Sequence, residues 1–443
     1  MSFISKFLRL SNCQICKEHI DGTYPVVSGE FSGEDGACLD FNFDKPTALN
    51  AITLFEKGEN VTDFEIYAHI DGEYSLIYKQ NRCSPFRFCA IPQIETTKIR
   101  ILVLKTRSGH FHKISAYAYN LPKKQREFRR TAYVIPSVNM NIDKGNIGLY
   151  NNFNLIGNTK IDAESGKVSI VDEVTDDGVT HSGKESFERA LKLIRENCKG
   201  DFKIVATFFT EGPIEKMVQK RNSIPELRRF MDEYNLDGIS FDWEYPKNKK
   251  QWQDFDKYLI ALKEGIGEKS ITLALPSWLR YNFSEKALKC IDVAEIMTYD
   301  NMQRDVDGHH SEFFSDGPNA IYHFVNKGFK LSQLNLGLPY YARPVNATGY
   351  WSDYSTEVDK LGRYCNVAEN EYEDIDWKKK TITVKPRFYN CCQMIEDKTA
   401  FCIYGNVGGI MCWQLGSDVP ASHELSLSSA VYKTVKERTT KTV

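Results

Sequence analysis

From Ala132 onward, eight short apolar segments follow one another along the chain: Ala132 to Ser137, Phe153 to Gly157, Lys203 to Phe209, Gly238 to Glu244, Ile271 to Pro276, Val293 to Tyr299, Leu334 to Pro339 and Gly409 to Trp413. Several are separated by stretches with helical spacing. Trp252, Phe255, Tyr258, Leu259 and Leu262 share one helix face before the fifth segment, as do Phe187, Leu191, Leu193 and Ile194 before the third. Strands that alternate with helices pair in parallel, because a crossover is needed to start the next strand from the same end of the sheet. The chain therefore reads as an α/β protein over most of its length.

Within the fourth segment the residues Leu236 to Pro246 read LDGISFDWEYP. Side chains of a strand alternate between faces, so Ser240, Asp242 and Glu244 point one way and Ile239, Phe241 and Trp243 the other. Carboxyl groups beside an apolar, buried strand are costly unless they are hydrogen-bonded, paired or used chemically. Taken alone, the two acids fit either a structural salt-bridge network or a catalytic pair.

The pattern D-G-x-x-x-D-x-E-Y-P, in Asp237, Gly238, Asp242, Glu244, Tyr245 and Pro246, resembles the signature of family 18 glycoside hydrolases, the chitinases and their relatives. Ser240 stands where that family usually has Asp. EIMTYD (Glu295 to Asp300), GLPYYAR (Gly337 to Arg343) and GGIMCW (Gly408 to Trp413) resemble the family's sixth-, seventh- and eighth-strand motifs, in the same order. The resemblance implies a (β/α)8 TIM barrel with its site at the C-terminal end of the fourth strand. It also implies retaining, substrate-assisted hydrolysis, an exception to the two-carboxylate scheme. Glu244 would be the general acid, Asp242 would orient the substrate acetamide, and Tyr299 would hold its oxygen. Substrate contacts would come from Ser240, Met297, Asp300, Tyr340, Tyr341, Arg343 and Trp413. No metal or organic cofactor is implied. An ionised Asp242 beside Glu244 is expected to keep the latter protonated.

Three readings follow: an endo-acting hydrolase of β-1,4-linked N-acetylglucosamine, an endo-β-N-acetylglucosaminidase acting on N-glycan cores, or a glycan-binding protein with a dead site. Two departures bear on cleft shape. Phe208 and Phe209 occupy the third strand where the family has small residues, and are expected to narrow the cleft. The insertion at about 344–406 is short, which predicts a reduced wall.

The chain divides into residues 1–120, 121–130 and 131–443. Between Ser11 and Asn120, short alternating strands broken by Gly-Glu-Asn and Asp-Gly read as an antiparallel β-sandwich, a jelly roll resembling the discoidin (coagulation factor 5/8 type C) domain. Such a domain either binds carbohydrate or only packs on the barrel. LPKKQREFRR, residues 121–130, reads as a solvated basic linker. With 57 Lys and Arg against 59 Asp and Glu, no net field favours nucleic acid or an anionic membrane as a partner; an N-acetylglucosamine-containing polysaccharide or glycan is the expected one. No stretch approaches a membrane span. Lys6 and Arg9 interrupt the apolar N-terminal residues, so no secretory signal is legible and the expectation is cytoplasmic, with extracellular as the alternative. Among twelve cysteines, Cys13-x-x-Cys16 lacks the partners of a zinc site.

Overall fold

The computed structural model describes residues 20–441, apart from 21, 57–60, 84, 108–112, 305–307, 345–350, 363–368 and 377–379. Cys13 and Cys16 lie outside the described residues. Among those described, no helix is long and apolar enough to cross a membrane.

Eight parallel strands close on themselves: Arg129–Val134, Asn152–Leu155, Lys203–Glu211, Gly238–Phe241, Ser270–Pro276, Val293–Met297, Leu334–Pro339 and Gly409–Trp413. The eighth pairs with the first and the second with the third, which completes a TIM-type barrel. Every segment anticipated from the sequence contributes one strand. The fourth is shorter than expected: its ladder stops at Phe241, so Asp242 to Glu244 leave the barrel rim at its C-terminal end. Alternation survives that exit. Ile239 and Phe241 are buried towards the helices and Trp243 packs edge-on against Phe255 of the following helix, while Ser240 and Asp242 face inwards.

The Asp-Gly opening of this strand has a packing role. Asp237 Oδ2 accepts from the Ile204 amide at 2.8 Å, stitching the fourth strand to the third. A Cβ on Gly238 would lie only 2.3 Å from the Ser270 carbonyl oxygen, so only glycine lets the fifth strand come this close.

Two antiparallel four-stranded sheets precede the barrel and pack into a sandwich. One contains Cys38–Leu49, Ile94–Thr106, Val61–Ile70 and Glu73–Gln80; the other contains Val27–Ser32, Lys113–Tyr119, Ala51–Glu56 and Phe86–Cys89. Phe64, Ile66, Ile99 and Ile101 from the first meet Ile52, Leu54, Ile114 and Ala116 from the second. All six residues of Ala51–Glu56 are buried, because the second sheet has its other face on the barrel. Phe86 lies 6.3 Å from Phe313 and Phe88 stacks on Tyr404 at 6.0 Å. An ion pair is sealed in this contact: Arg87 donates to Asp397 at 2.7 Å, both essentially inaccessible to water, and the Tyr78 hydroxyl and the Ala90 amide donate to the same carboxylate.

The basic run is therefore not a free linker. Pro122, Lys123, Gln125 and Glu127 are exposed, but Leu121 and Phe128 are buried. Arg126 donates to the Val407 carbonyl, and Arg129 and Arg130 already belong to the first barrel strand. Its charges face backbone carbonyls that close the barrel bottom, a use that composition does not reveal.

The short insertion carries its own secondary structure. Ser352–Asp353, Tyr341–Pro344, Thr381–Phe388 and Glu369–Asp376 form a four-stranded antiparallel sheet, with the helix Tyr354–Leu361 beside it. Two long strands, two short ones and a two-turn helix thus fit in a short segment. Cys392–Tyr404 is a separate, buried helix of the barrel.

Candidate active site

At the C-terminal rim, a cavity of about 210 Å³ is lined by Tyr133, Asp242, Glu244, Tyr245, Trp278, Met297, Tyr299, Asp300 and Trp413, among others. Its floor is the top of the barrel interior, where Tyr133 and Met411 are buried with Phe209, Met297, Tyr299 and Trp413 against them. Trp413 meets Tyr133 edge-on at 5.4 Å. Of the two phenylalanines expected to narrow the cleft, Phe209 does join this floor. Phe208 instead points outwards and packs against Phe230 at 5.4 Å, as strand alternation requires.

The acids occupy different depths. Glu244 is exposed at the mouth, and Asp242 is partly buried beneath it. Burial, then the charge and contact of Glu244, push the Asp242 carboxyl up to about 7. The sequence-based expectation of an ionised Asp242 thus meets a carboxyl that burial and Glu244 push up towards neutrality. Ser240 sits fully buried below, its hydroxyl without a hydrogen-bond partner.

Beside the acids, Asp300 adopts a left-handed backbone conformation with φ 59°, which short polar side chains tolerate. Tyr341 donates its hydroxyl to Asp300 Oδ1 at 2.9 Å and Arg343 reaches the same carboxylate. The fully buried His310 places Nδ1 3.6 Å from Asp300. Burial of Asp300 works to raise its pKa, but His310 and Arg343 outweigh it and bring the group down to about 2. Tyr299 lies 6.0 Å from Tyr341 by ring centroids. Its seat depends on Gly337, where a Cβ would fall 3.0 Å from the Tyr299 ring.

Most residues anticipated from the sequence thus converge. Asp242, Glu244, Met297, Tyr299, Asp300 and Trp413 line the cavity, and Tyr341 and Arg343 fix Asp300 from behind. Tyr340 does not belong to this group. It is fully buried and its hydroxyl lies 2.8 Å from that of Tyr150, because neighbours along a strand face opposite ways. Sequence reasoning missed Tyr133, Tyr245, Trp278 and Trp351. Trp278 is 39% exposed, meets Tyr245 at 5.1 Å and lines both the cavity and a neighbouring groove. Trp351 is 40% exposed and lies 4.6 Å from Tyr341. Trp278 follows the end of the fifth strand, where barrel chemistry is placed, and that position was the available signal. Among the described residues, no group of three or more His, Cys, Asp or Glu side chains is arranged to hold a metal.

Residues 209–418 match the family model for glycosyl hydrolases family 18. Among curated proteins, "Probable chitinase 2" of Drosophila melanogaster is 23% identical over 290 residues, 53% of this chain and 60% of that protein. "Secreted chitinase LysM12" of Penicillium expansum is 32% identical over 107 residues, 21% of this chain and 7% of that protein. The chain spans at most 60% of the length of these relatives. Among solved structures, a catalytic domain of an Ostrinia furnacalis Group II chitinase superposes with a TM-score of 0.55 at 15% identity, covering 71% of this chain and 98% of that one. The chitinase ChiB of Flavobacterium johnsoniae gives 0.53 at 17%, covering 71% and 95%. At such identities the superpositions speak for the barrel, while the matched segment runs from the third strand past the eighth and contains both acids, Asp300 and Trp413. From Phe209 to Asp418, just under half of its length, this chain is similar to the family 18 glycosyl hydrolases, and the fold around that stretch is the barrel of the solved chitinases.

Proposed function

We propose that the protein cleaves β-1,4 bonds within chains of N-acetylglucosamine, with retention and with the substrate's own acetamide as nucleophile. The observation that carries this reading is the depth order of the acids: an exposed Glu244 above a half-buried Asp242, in one cavity floored by Trp413. Glu244 gives its proton to the glycosidic oxygen as the bond to the anomeric carbon breaks. The acetamide oxygen of the same sugar closes on that carbon to form an oxazolinium ion. Asp242, ionised at this stage, accepts the acetamide N–H and stabilises the positive charge, while the Tyr299 hydroxyl donates to the acetamide oxygen. Water, deprotonated by the Glu244 carboxylate, reopens the ring from the face the leaving group left.

Aromatic faces suit sugar rings, and Trp413, Trp278 and Trp351 flank the acids as stacking surfaces. The sandwich, read as discoidin-like, adds a glycan contact of its own: the exposed Tyr74 ring lies 4.7 Å from the Arg100 guanidinium and 5.4 Å from the Lys98 ammonium. The name of the Penicillium relative includes the word secreted, which supports the extracellular alternative over a cytoplasmic one.

Incubation with chitooligosaccharides and, separately, with a high-mannose glycoprotein, read by mass spectrometry, tests the reading. Internal cleavage of the oligosaccharides supports it. Cleavage of the glycoprotein core alone redirects it to N-glycans, and binding without cleavage of either overturns it.

A further inference from the structure

A second groove adjoins the catalytic cavity, and its charged residues have no part in the hydrolytic scheme. Its volume is about 570 Å³, and Tyr245, Pro276 and Trp278 line both spaces, so the two are continuous. One wall is the segment after Glu244, from Tyr245 into the first turn of the helix Lys249–Ile266; the other is the loop after the fifth strand, Trp278 to Asn282. Two kinds of side chain line it. Trp252 and Tyr281, one from each wall, stack with ring centroids 5.2 Å apart and planes 9° apart, and Trp278 stands 39% exposed at the junction with the cavity. Lys247, Lys249 and Arg280 are exposed cations.

Nothing in the fold accounts for these three charges. Nearby cations are matched: Lys250 with Asp254 at 2.7 Å, Lys263 with Asp292 at 3.0 Å and Lys289 with Glu285 at 2.7 Å. Among the described residues, no carboxylate pairs with Lys247, Lys249 or Arg280, and no Asp or Glu lines the groove. Lys249 also opens its helix, whose first turn holds no acid, although the partial positive charge of a helix N-terminus favours acids there. That end of the helix and the three cations add to one positive field. In a chain with 57 Lys and Arg against 59 Asp and Glu, the excess is local.

We propose that the groove binds the part of the glycan that extends beyond the cleaved bond and selects chains whose sugars carry carboxylates. The aromatic faces take the C–H faces of the sugar rings, whatever their charge. The cations read the substituents that stand out from those rings, with Arg280 suited to a carboxylate fork and Lys247 and Lys249 acting as point charges. A neutral N-acetylglucosamine chain meets only the first set of contacts. An acidic chain meets both, and is drawn in by a field that salt screens.

This rests on the reading that the cavity cleaves N-acetylglucosamine chains, so binding and cleavage are measured apart. Glycol chitin and carboxymethyl chitin are matched probes, both soluble chitins substituted on oxygen, of which only the second is charged. Kd is measured on full-length Glu244→Gln, which lacks the proposed proton donor, and turnover on the wild type. At low ionic strength carboxymethyl chitin should bind about tenfold more tightly than glycol chitin, as three exposed charge contacts imply, and the ratio should fall to about twofold at about 0.5 M salt. Lys247→Gln combined with Lys249→Gln and Arg280→Gln should remove the preference. Equal affinities at low salt overturn the proposal, as does a preference that persists in the triple variant. A preference insensitive to salt overturns it whether or not that variant folds. Self-association abolished by the triple substitution, without discrimination between the polymers, also overturns it and assigns the groove to a second copy of the chain. A protein that cleaves neither polymer but keeps the charge-dependent binding overturns the hydrolytic reading and leaves this one standing.

Discussion

Arg343 grips Asp300 with two hydrogen bonds, Nε to Oδ1 at 2.8 Å and Nη2 to Oδ2 at 3.0 Å. A planar guanidinium makes this fork and an ammonium cannot. Arg343→Lys should therefore let Asp300 swing and lower kcat/KM on chitooligosaccharides about tenfold, close to 1.4 kcal/mol of transition-state stabilisation. A value within twofold of wild type would mean that the fork does not position the site. Because the folded-state pKa of Asp300 is depressed to about 2, its contribution to stability is present above about pH 4 and fades as the pH falls through 2.

Replacing the proposed proton donor separates chemistry from binding. Glu244→Gln keeps the shape of the side chain and loses the transferable proton, so kcat should fall at least about a hundredfold while oligosaccharide affinity by calorimetry stays near wild type. Turnover within a few-fold of wild type would remove Glu244 from that role.

Asp242 carries the opposite linkage from Asp300. Its folded-state pKa of about 7 lies above the usual carboxylate value of 3.8. The folded protein therefore binds a proton that the unfolded chain has released, and stability declines as the pH rises from about 4 to 7. Asn mimics the neutral acid. Asp242→Asn should match the wild type in thermal unfolding near pH 4 and exceed it at pH 8 by an amount on the order of 1–4 kcal/mol. Equal unfolding midpoints at pH 8 would contradict the raised pKa. Activity should be lost at both pH values.

Local rules made the barrel legible because each strand buries its apolar face within its own few residues. Ile239, Phe241 and Trp243 against Ser240, Asp242 and Glu244 follow from period-two alternation alone. That rule, applied to GLPYYAR, also separates Tyr341 from Tyr340. Two of the four missed aromatic residues come from loops: Trp278 and Trp351 are remote from the central motif in sequence and meet it only through the closed barrel. The raised pKa of Asp242 was not legible for a similar reason, since burial depth depends on where the ladder ends at Phe241.

Trp413 provides a test of the cavity floor. With its ring 5.4 Å from Tyr133 and 6.5 Å from Trp351, Trp413→Ala should weaken oligosaccharide binding and turnover together, by about 1–3 kcal/mol each. A folded variant with unchanged calorimetric affinity would make Trp413 a packing residue only.

The sealed ion pair gives a stability test. Arg87→Met leaves Asp397 buried with its charge unpaired and should cost roughly 3–5 kcal/mol, whereas Arg87→Met with Asp397→Leu should recover most of that loss. Denaturant unfolding of the three proteins measures it, and equal losses in the single and double variants would show that the charge balance is not what matters.

Because Arg87, Phe86 and Phe88 reach into the barrel's own core, a break in the backbone between Pro122 and Glu127 has an unusual outcome. A protease acting there nicks the molecule without dividing it, and the two fragments elute together until a denaturant parts them. A gene shortened to begin at the first barrel strand would leave Asp397 without its cation and Phe313, Phe401 and Tyr404 facing water. Such a product would stick to its own copies or to chaperones. The sandwich is thus inherited with the barrel as a single unit of folding, and recombination that swaps one without the other carries a penalty even when the active-site residues are untouched.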